Sequence, residues 1–278
     1  MSIREQIEDV KFLVEHRRYV GALTILTLAV AASSKKLFPR GTKSTREPKD
    51  KMLDEEAFTL FLGDRLRRIL IGSLGEQRYA NSGHLVPFKG KQFDLAYILY
   101  KYYRCALVHD GELPEDVEFA DPPADRSHSM TLGNGKYSVG FNCGEKLVLD
   151  YGWIDVLIEA VEGAECNAEE FGREVFYLTV PVGTNESDFS REIIERHGAS
   201  LGRYNILKDA VRLITPAKVN VAHDGELKEL FRSLVKSEYV SLGSITGLSS
   251  RGFTNRAGEL QDKGIAMIRD VAAAFLER

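Results

Sequence analysis

Arg104 and His109 are the two side chains in this sequence best suited to chemistry on a phosphate. They stand five positions apart in Tyr103-Arg104-Cys105-Ala106-Leu107-Val108-His109-Asp110-Gly111, at the end of an apolar run and just before Pro114. A guanidinium is a permanent cation whose planar fork matches phosphate oxygens. An imidazole gives or takes a proton near neutral pH. Metal-free cleavage of a phosphodiester needs both groups. Similar spacing recurs at Arg78 with His84 and at Arg191 with His197. The first of these pairs lies in a polar, loop-like run, and the second lies on a short charged stretch that reads as a solvated helix face. Only Arg104 and His109 are embedded in an apolar helix able to hold their geometry.

Periodicity predicts that helix over residues 92–109. At 3.6 residues per turn Phe93, Tyr97, Tyr100, Arg104 and Leu107 share one face, and Leu95, Leu99, Tyr102 and Ala106 share the opposite one. A helix apolar on two sides is covered on both, by the rest of a bundle or by a second subunit. Arg104 emerges within an apolar stripe, where an unpaired cation is costly. One reading makes it a structural arginine paired with a carboxylate, with His109 capping the helix end. The other makes the pair a catalytic site. A five-residue separation sets the two side chains about 140° apart on an ideal α-helix, so one straight helix assembles them poorly. The helix C-terminus should favour imidazolium at His109.

Residues 99–111, from Leu99-Tyr100-Lys101-Tyr102-Tyr103-Arg104 through His109-Asp110-Gly111, resemble the motif helix of the HEPN superfamily. Residues 18–32 look like the early helix of such bundles, and residues 54–68 like the helix that follows. The resemblance covers residues 1–165. It implies an all-α bundle, ribonuclease activity through Arg-x(4–6)-His, and a homodimer whose two motif helices face each other across a composite cleft. His109 would then be the acid/base for attack by the RNA 2′-hydroxyl, and Arg104 would stabilise the crowded phosphate. Asp110 could orient His109, and Tyr103 could stack on a base. Lys101, Lys35, Lys36, Arg40 and Lys43 are the candidate RNA-phosphate contacts. The residue after the motif arginine, commonly polar in active members, is Cys105 here. That departure keeps open a non-catalytic dimerisation scaffold and a nucleotide-binding sensor. The family is rich in toxins and antiviral-defence proteins, so such a role is an expectation by resemblance.

The rest of the composition narrows the field. A net charge of −4 argues against a generic nucleic-acid coat, so any RNA contact must come from local positive charge. Cys105, Cys143 and Cys166 are odd in number and lack a C-x-x-C spacing, which fits a reducing cytoplasm and offers no zinc site. Histidines and carboxylates show no metal-ligand spacing, and no phosphate-binding glycine motif occurs, so neither a metal nor a cofactor is indicated. The apolar run 19–32 is too short to span a bilayer, and the acidic residues before it do not suit a signal peptide. The reading is a cytoplasmic protein without membrane contact.

Two domains are expected, a helical bundle with a small β-hairpin over residues 1–165 and a smaller α+β domain over 166–278. The bundle holds an amphipathic first helix, a buried second one from Tyr19, and a third from Asp54 to about Leu74 with Arg65, Arg67 and Arg68 outward. Between the last two, residues 35–51 form a basic loop, either a solvated connector or a flexible phosphate-contacting arm. A hairpin over residues 136–149 and a helix over 153–161 close the bundle. The second half reads as a strand over residues 175–182, helices over 201–214, 226–238 and 259–276, and a Gly-rich β-ribbon over 239–251. Those elements suggest a winged-helix-like module that docks a nucleic acid or a protein.

Overall fold

A computed structural model of the chain describes residues 1–71, 81–121, 129–132, 137–143, 146–174, 177–237, 239–240 and 242–277. It is mainly helical with small β elements and divides into two compact units. One unit comprises residues 1–70 and 77–174, and the other takes in Val175–Arg278.

In the first unit α1 (Ile3–Glu15) opens with a capping box, Ser2 Oγ accepting from Glu5 N while Glu5 reaches back to Ser2 N. It packs on α2 (Tyr19–Leu37), which is the core helix: Ala22, Leu23, Leu26, Ala29 and Val30 are fully buried. At 19 residues α2 has the length and apolarity to cross a membrane. Here its buried face packs against α1, α3 (Asp54–Leu66) and α5 (Trp153–Glu162). A hairpin of β1 (Leu85–Phe88) and β2 (Lys91–Asp94) turns at Lys89 and Gly90, both at positive φ, the signature of a two-residue turn. It leads directly into the motif helix, which starts as α4 (Leu95–Ile98). Beyond that helix, β3 (Val117–Ala120), β4 (Ser129–Leu132), β5 (Tyr137–Cys143) and β6 (Leu147–Asp150) form a sheet in the order β3-β6-β5-β4. The expected hairpin is the β5–β6 pair, and β3 runs parallel to β6.

Three expectations need correcting in this unit. The helix from Asp54 leaves α geometry at Arg67, where a π-helical turn runs over Arg67–Ile71; residues beyond 71 lie outside the described ones. Arg65 does not face outward. Its Nε and Nη2 donate to the Ala160 and Glu159 carbonyls (3.0 and 3.4 Å), capping the end of α5. Gly163 makes room for it, because a Cβ there would stand 2.3 Å from Arg65 Nη2. Burial, with the Arg68 guanidinium nearby, lowers the Arg65 pKa to about 10. Arg68 and Arg67 likewise turn to the buried Asp64 carboxylate, at 3.0 and 3.6 Å. The unit also continues past residue 165: buried Asn167 donates to Ser33 Oγ and the Val161 carbonyl, so the division falls after Glu174.

The second unit is more helical than expected. A short β7 (Leu178–Thr179) precedes α6 (Glu186–His197), α7 (Leu201–Ile214), α8 (Pro216–Val221), α9 (Asp224–Lys236), α10 (Leu242–Ser249) and α11 (Asp262–Ala274). β8 (Leu276–Glu277) then pairs with β7. Tyr204, Leu207, Val211, Leu227, Phe231, Leu248, Phe253 and Ile268 build its core. The predicted ribbon over 239–251 is α10. Ile245 and Leu248, three apart, are both buried, so the apolar period there is helical and not alternating. Beyond α10, Thr254 and Leu260 form an isolated antiparallel bridge.

Asp150 yields a prediction. It is buried at the end of β6, with Oδ1 accepting from Gly152 N, and burial lifts its pKa from 3.8 to about 6. A raised carboxylate holds its proton more tightly in the folded state. The stability it contributes is full below about pH 4 and is lost as pH rises through about 6. Urea unfolding across pH 4–7 should show wild type losing up to about 3 kcal/mol relative to Asp150→Asn. Parallel curves for the two proteins would contradict this.

Candidate functional site

The motif helix begins later than its periodicity predicts. Gln92 and Phe93 sit in the β2 ladder opposite Pro87 and Val86, and Asp94 is the N-cap. Its Oδ1 accepts from Ala96 N (3.0 Å), while Oδ2 accepts from the Ser82 backbone and hydroxyl (2.8 and 2.7 Å). After one α turn the helix widens. Leu99–Arg104 and Ala106–Asp110 are π-helical, with Cys105 N–H donating to the Tyr100 carbonyl and Gly111 N–H to the Ala106 carbonyl. Gly111, at φ +79°, ends the helix in the left-handed conformation that glycine adopts without strain.

The widening changes the site. An i→i+5 turn stacks residues five apart, which an α-helix separates by about 140°. Arg104 Nη1 accordingly lies 3.1 Å from His109 Nε2. The guanidinium N–H can only donate, so Nε2 is the acceptor in this contact. His109 is exposed and Arg104 half-buried.

Arg104 lies over the Tyr100 ring, 5.6 Å from its centroid, and its Nη1 is 3.9 Å from Cys105 Sγ. Burial pushes the Tyr100 hydroxyl pKa up, so the phenol stays protonated beside the guanidinium. Among the described residues no carboxylate pairs with Arg104, and its Nε is buried without a hydrogen-bond partner. Among the described residues the reading of Arg104 as a salt-bridged structural arginine lacks its carboxylate. A half-buried guanidinium without a carboxylate can hydrogen-bond an anion.

The supporting residues sort differently from expectation. Tyr103 is fully buried, and its hydroxyl donates to the Glu118 carbonyl (2.9 Å), so it cannot stack on a base; it props the helix against β3. Asp110 is exposed, and among the described residues no hydrogen bond joins it to His109. Lys101 is exposed on the same helix as the pair. Lys35 pairs with Asp54 (3.5 Å), whose charge reaches Tyr100, whereas Lys36 is engaged by Glu170. Arg40 and Lys43 are exposed on the basic loop, which is folded onto a carboxylate. Buried Glu56 Oε1 accepts from Thr45 N, Thr45 Oγ and Arg46 N (2.7, 2.7 and 3.2 Å). This loop is a built turn, not a loose arm. Tyr100 was missed as a partner of Arg104, although its four-residue spacing on the same face was visible.

His197 Nε2 donates to the Asp270 carboxylate at 2.8 Å, Arg191 pairs with Asp188 at 3.9 Å, and Arg78 lies outside the described residues. Leu95, Ile98, Leu99, Tyr103, Ala106 and Leu107 of the motif helix are buried within one chain, whereas Phe93, Tyr97, Tyr100 and Tyr102 are half-buried. Among the described residues no three His, Cys, Asp or Glu side chains cluster as metal ligands would.

A family model described as Rv1289 matches residues 2–184, well over half of the chain. The chain belongs to the Rv1289 family. The match takes in all of the first unit, with Arg104 and His109, and the first residues of the second. Comparison with curated proteins and with solved structures returned no match.

If Arg104 holds an anion, inorganic phosphate should raise the melting temperature above that in chloride of equal ionic strength. The gain should be about 1.4 kcal/mol at ten times Kd. Arg104→Ala should abolish this increment while melting near wild type in chloride. An unchanged increment in the variant would place the phosphate elsewhere.

Proposed function

We propose that this protein is a metal-independent endoribonuclease of the HEPN type, with Arg104 and His109 as its catalytic residues. The observation that carries the reading is the half-buried Arg104 guanidinium, which has no carboxylate partner among the described residues and is hydrogen-bonded to His109 at 3.1 Å. An incoming phosphate competes for the Arg104 donors and releases His109 Nε2 as an acceptor. Nε2 then takes the 2′-hydroxyl proton as the 2′-oxygen attacks phosphorus, and Arg104 stabilises the charge on the non-bridging oxygens. The 5′-oxygen leaves and is protonated, giving a 2′,3′-cyclic phosphate and a 5′-hydroxyl end.

In-line displacement puts the attacking and leaving oxygens on opposite sides of phosphorus. A second imidazole on the far side would serve as the acid, and a homodimer supplies it as His109 of another copy. The homodimer and a role as a toxin or antiviral-defence effector rest on the resemblance. A cytoplasmic location rests on the cysteine usage, and a nucleic-acid or protein partner for the second unit on its winged-helix-like order of elements.

A non-catalytic scaffold is the second reading, favoured by the way Arg104 and His109 satisfy each other and by Cys105 in the position after the arginine. Cleavage of RNA by purified protein separates the two. Activity should survive EDTA, and DNA and 2′-O-methyl RNA should be inert because the nucleophile is the substrate's own 2′-hydroxyl. Arg104→Ala and His109→Ala should each cost about 10²–10⁴-fold in rate. Efficient cutting of DNA, or activity lost in EDTA and restored by Mg²⁺, would show that the site is misassigned.

A further inference from the structure

Phe93 and Tyr97 stack on each other at the start of the motif helix, with ring centroids 5.6 Å apart and planes 11° from parallel. Both are only half-buried, although Phe93 also meets Tyr102 edge-on. Among the described residues the Tyr97 hydroxyl has no hydrogen-bond partner. Exposed lysines lie on either side in the chain. Lys91 shares a face of β2 with Phe93, and Lys101 stands one turn beyond Tyr97. Neither is paired with a carboxylate among the described residues. Lys89 behaves differently: Asp116 holds its ammonium at 2.6 Å, and it lies over the Phe88 and Tyr102 rings. Lys91 and Lys101, without a carboxylate among the described residues, thus flank the stacked rings in the chain.

Stacked aromatics between unpaired lysines match the two needs of a single-stranded nucleic acid: a π-face for a base and cations for the adjoining phosphates. Arg104 lies seven residues beyond Tyr97, at most about 10 Å along the axis at α-helical rise. That is within a nucleotide or two of chain. We propose that Phe93 and Tyr97 are a base-stacking platform for single-stranded RNA, with Lys101 carrying the phosphate between the platform and Arg104. The proposal rests on the ribonuclease reading for its RNA, and it replaces Tyr103, which is buried, as the stacking residue.

The test uses full-length His109→Ala, which binds without cutting, and a fluorescein-labelled single-stranded RNA read by anisotropy over a salt series. Adding Tyr97→Ala should weaken binding roughly 5- to 100-fold with the salt slope unchanged. Adding Lys101→Ala should reduce that slope by about one. Tyr97→Phe should bind as the parent does, and an abasic oligonucleotide should no longer distinguish the parent from Tyr97→Ala. Tyr97→Trp guards against a folding defect. Its indole emission should be quenched by RNA, while Trp153, the single native tryptophan, is fully buried. Equal affinity of the parent and Tyr97→Ala would overturn the platform, as would an absence of RNA binding by the parent. So would a Tyr97→Ala variant that loses self-association but keeps its RNA affinity, because the rings would then meet a second copy. If wild type cuts RNA while Tyr97→Ala binds normally, the ribonuclease reading stands without the platform. Tyr97-dependent binding with no cleavage by wild type would leave the platform and remove the catalytic assignment.

Discussion

The i→i+5 hydrogen bonding between Tyr100 and Gly111 is the constraint on which the site depends. In an α-helix Arg104 and His109 would diverge by about 140°. In the wider turn they meet at 3.1 Å. Wide turns of this kind are uncommon and tend to accompany function. Here the surroundings hold one in place: Asp94 caps the start, the buried Tyr103 hydroxyl is tied to the Glu118 carbonyl, and Gly111 ends the helix at positive φ. Leu99, Tyr103 and Leu107, buried along one side, fix the helix against the bundle.

Electrostatics then separates Arg104 from other arginines of its unit. Arg65 is satisfied by two carbonyls at the end of α5, Arg68 by Asp64, and Arg46 by Glu55. Each of these has a structural reason to be where it is. Arg104 has a ring face, a thiol and an imidazole nitrogen instead, with no negative charge to balance it among the described residues. A cation left so in a half-buried position is stabilised when an anion arrives. The same physics explains why the basic loop is a weaker candidate: Glu56, whose hydrogen bonds hold its pKa below the usual carboxylate range, already organises it.

Much of the first unit was legible in the sequence because its signals are strong and local. The apolar run from Tyr19 and the amphipathic helix at Trp153 form helices as their sequences indicate, and the helix from Asp54 does so as far as Leu66. Arg104 and His109 stood out by residue type, but their meeting could not be read from a 3.6-residue period, since the deviation lies in the backbone. The inward turn of Arg65 was equally hidden, because its partners are the carbonyls of a helix nearly a hundred residues away. In the second unit the Gly- and Ser-rich composition of residues 239–251 suggested strand alternation. Burial of Ile245 and Leu248 overrode the weak helix propensity of their neighbours.

The cleavage rate of Arg104→Ala/His109→Ala on single-stranded RNA, set against the two single variants and wild type, tests most directly whether the π-helical register makes one site. Side chains that act as a unit are strongly non-additive, so the double variant should be hardly slower than the worse single one. Independent, multiplying losses would mean that the two residues act separately. Cleavage at the wild-type rate in all three variants would mean that the pair takes no part in the chemistry.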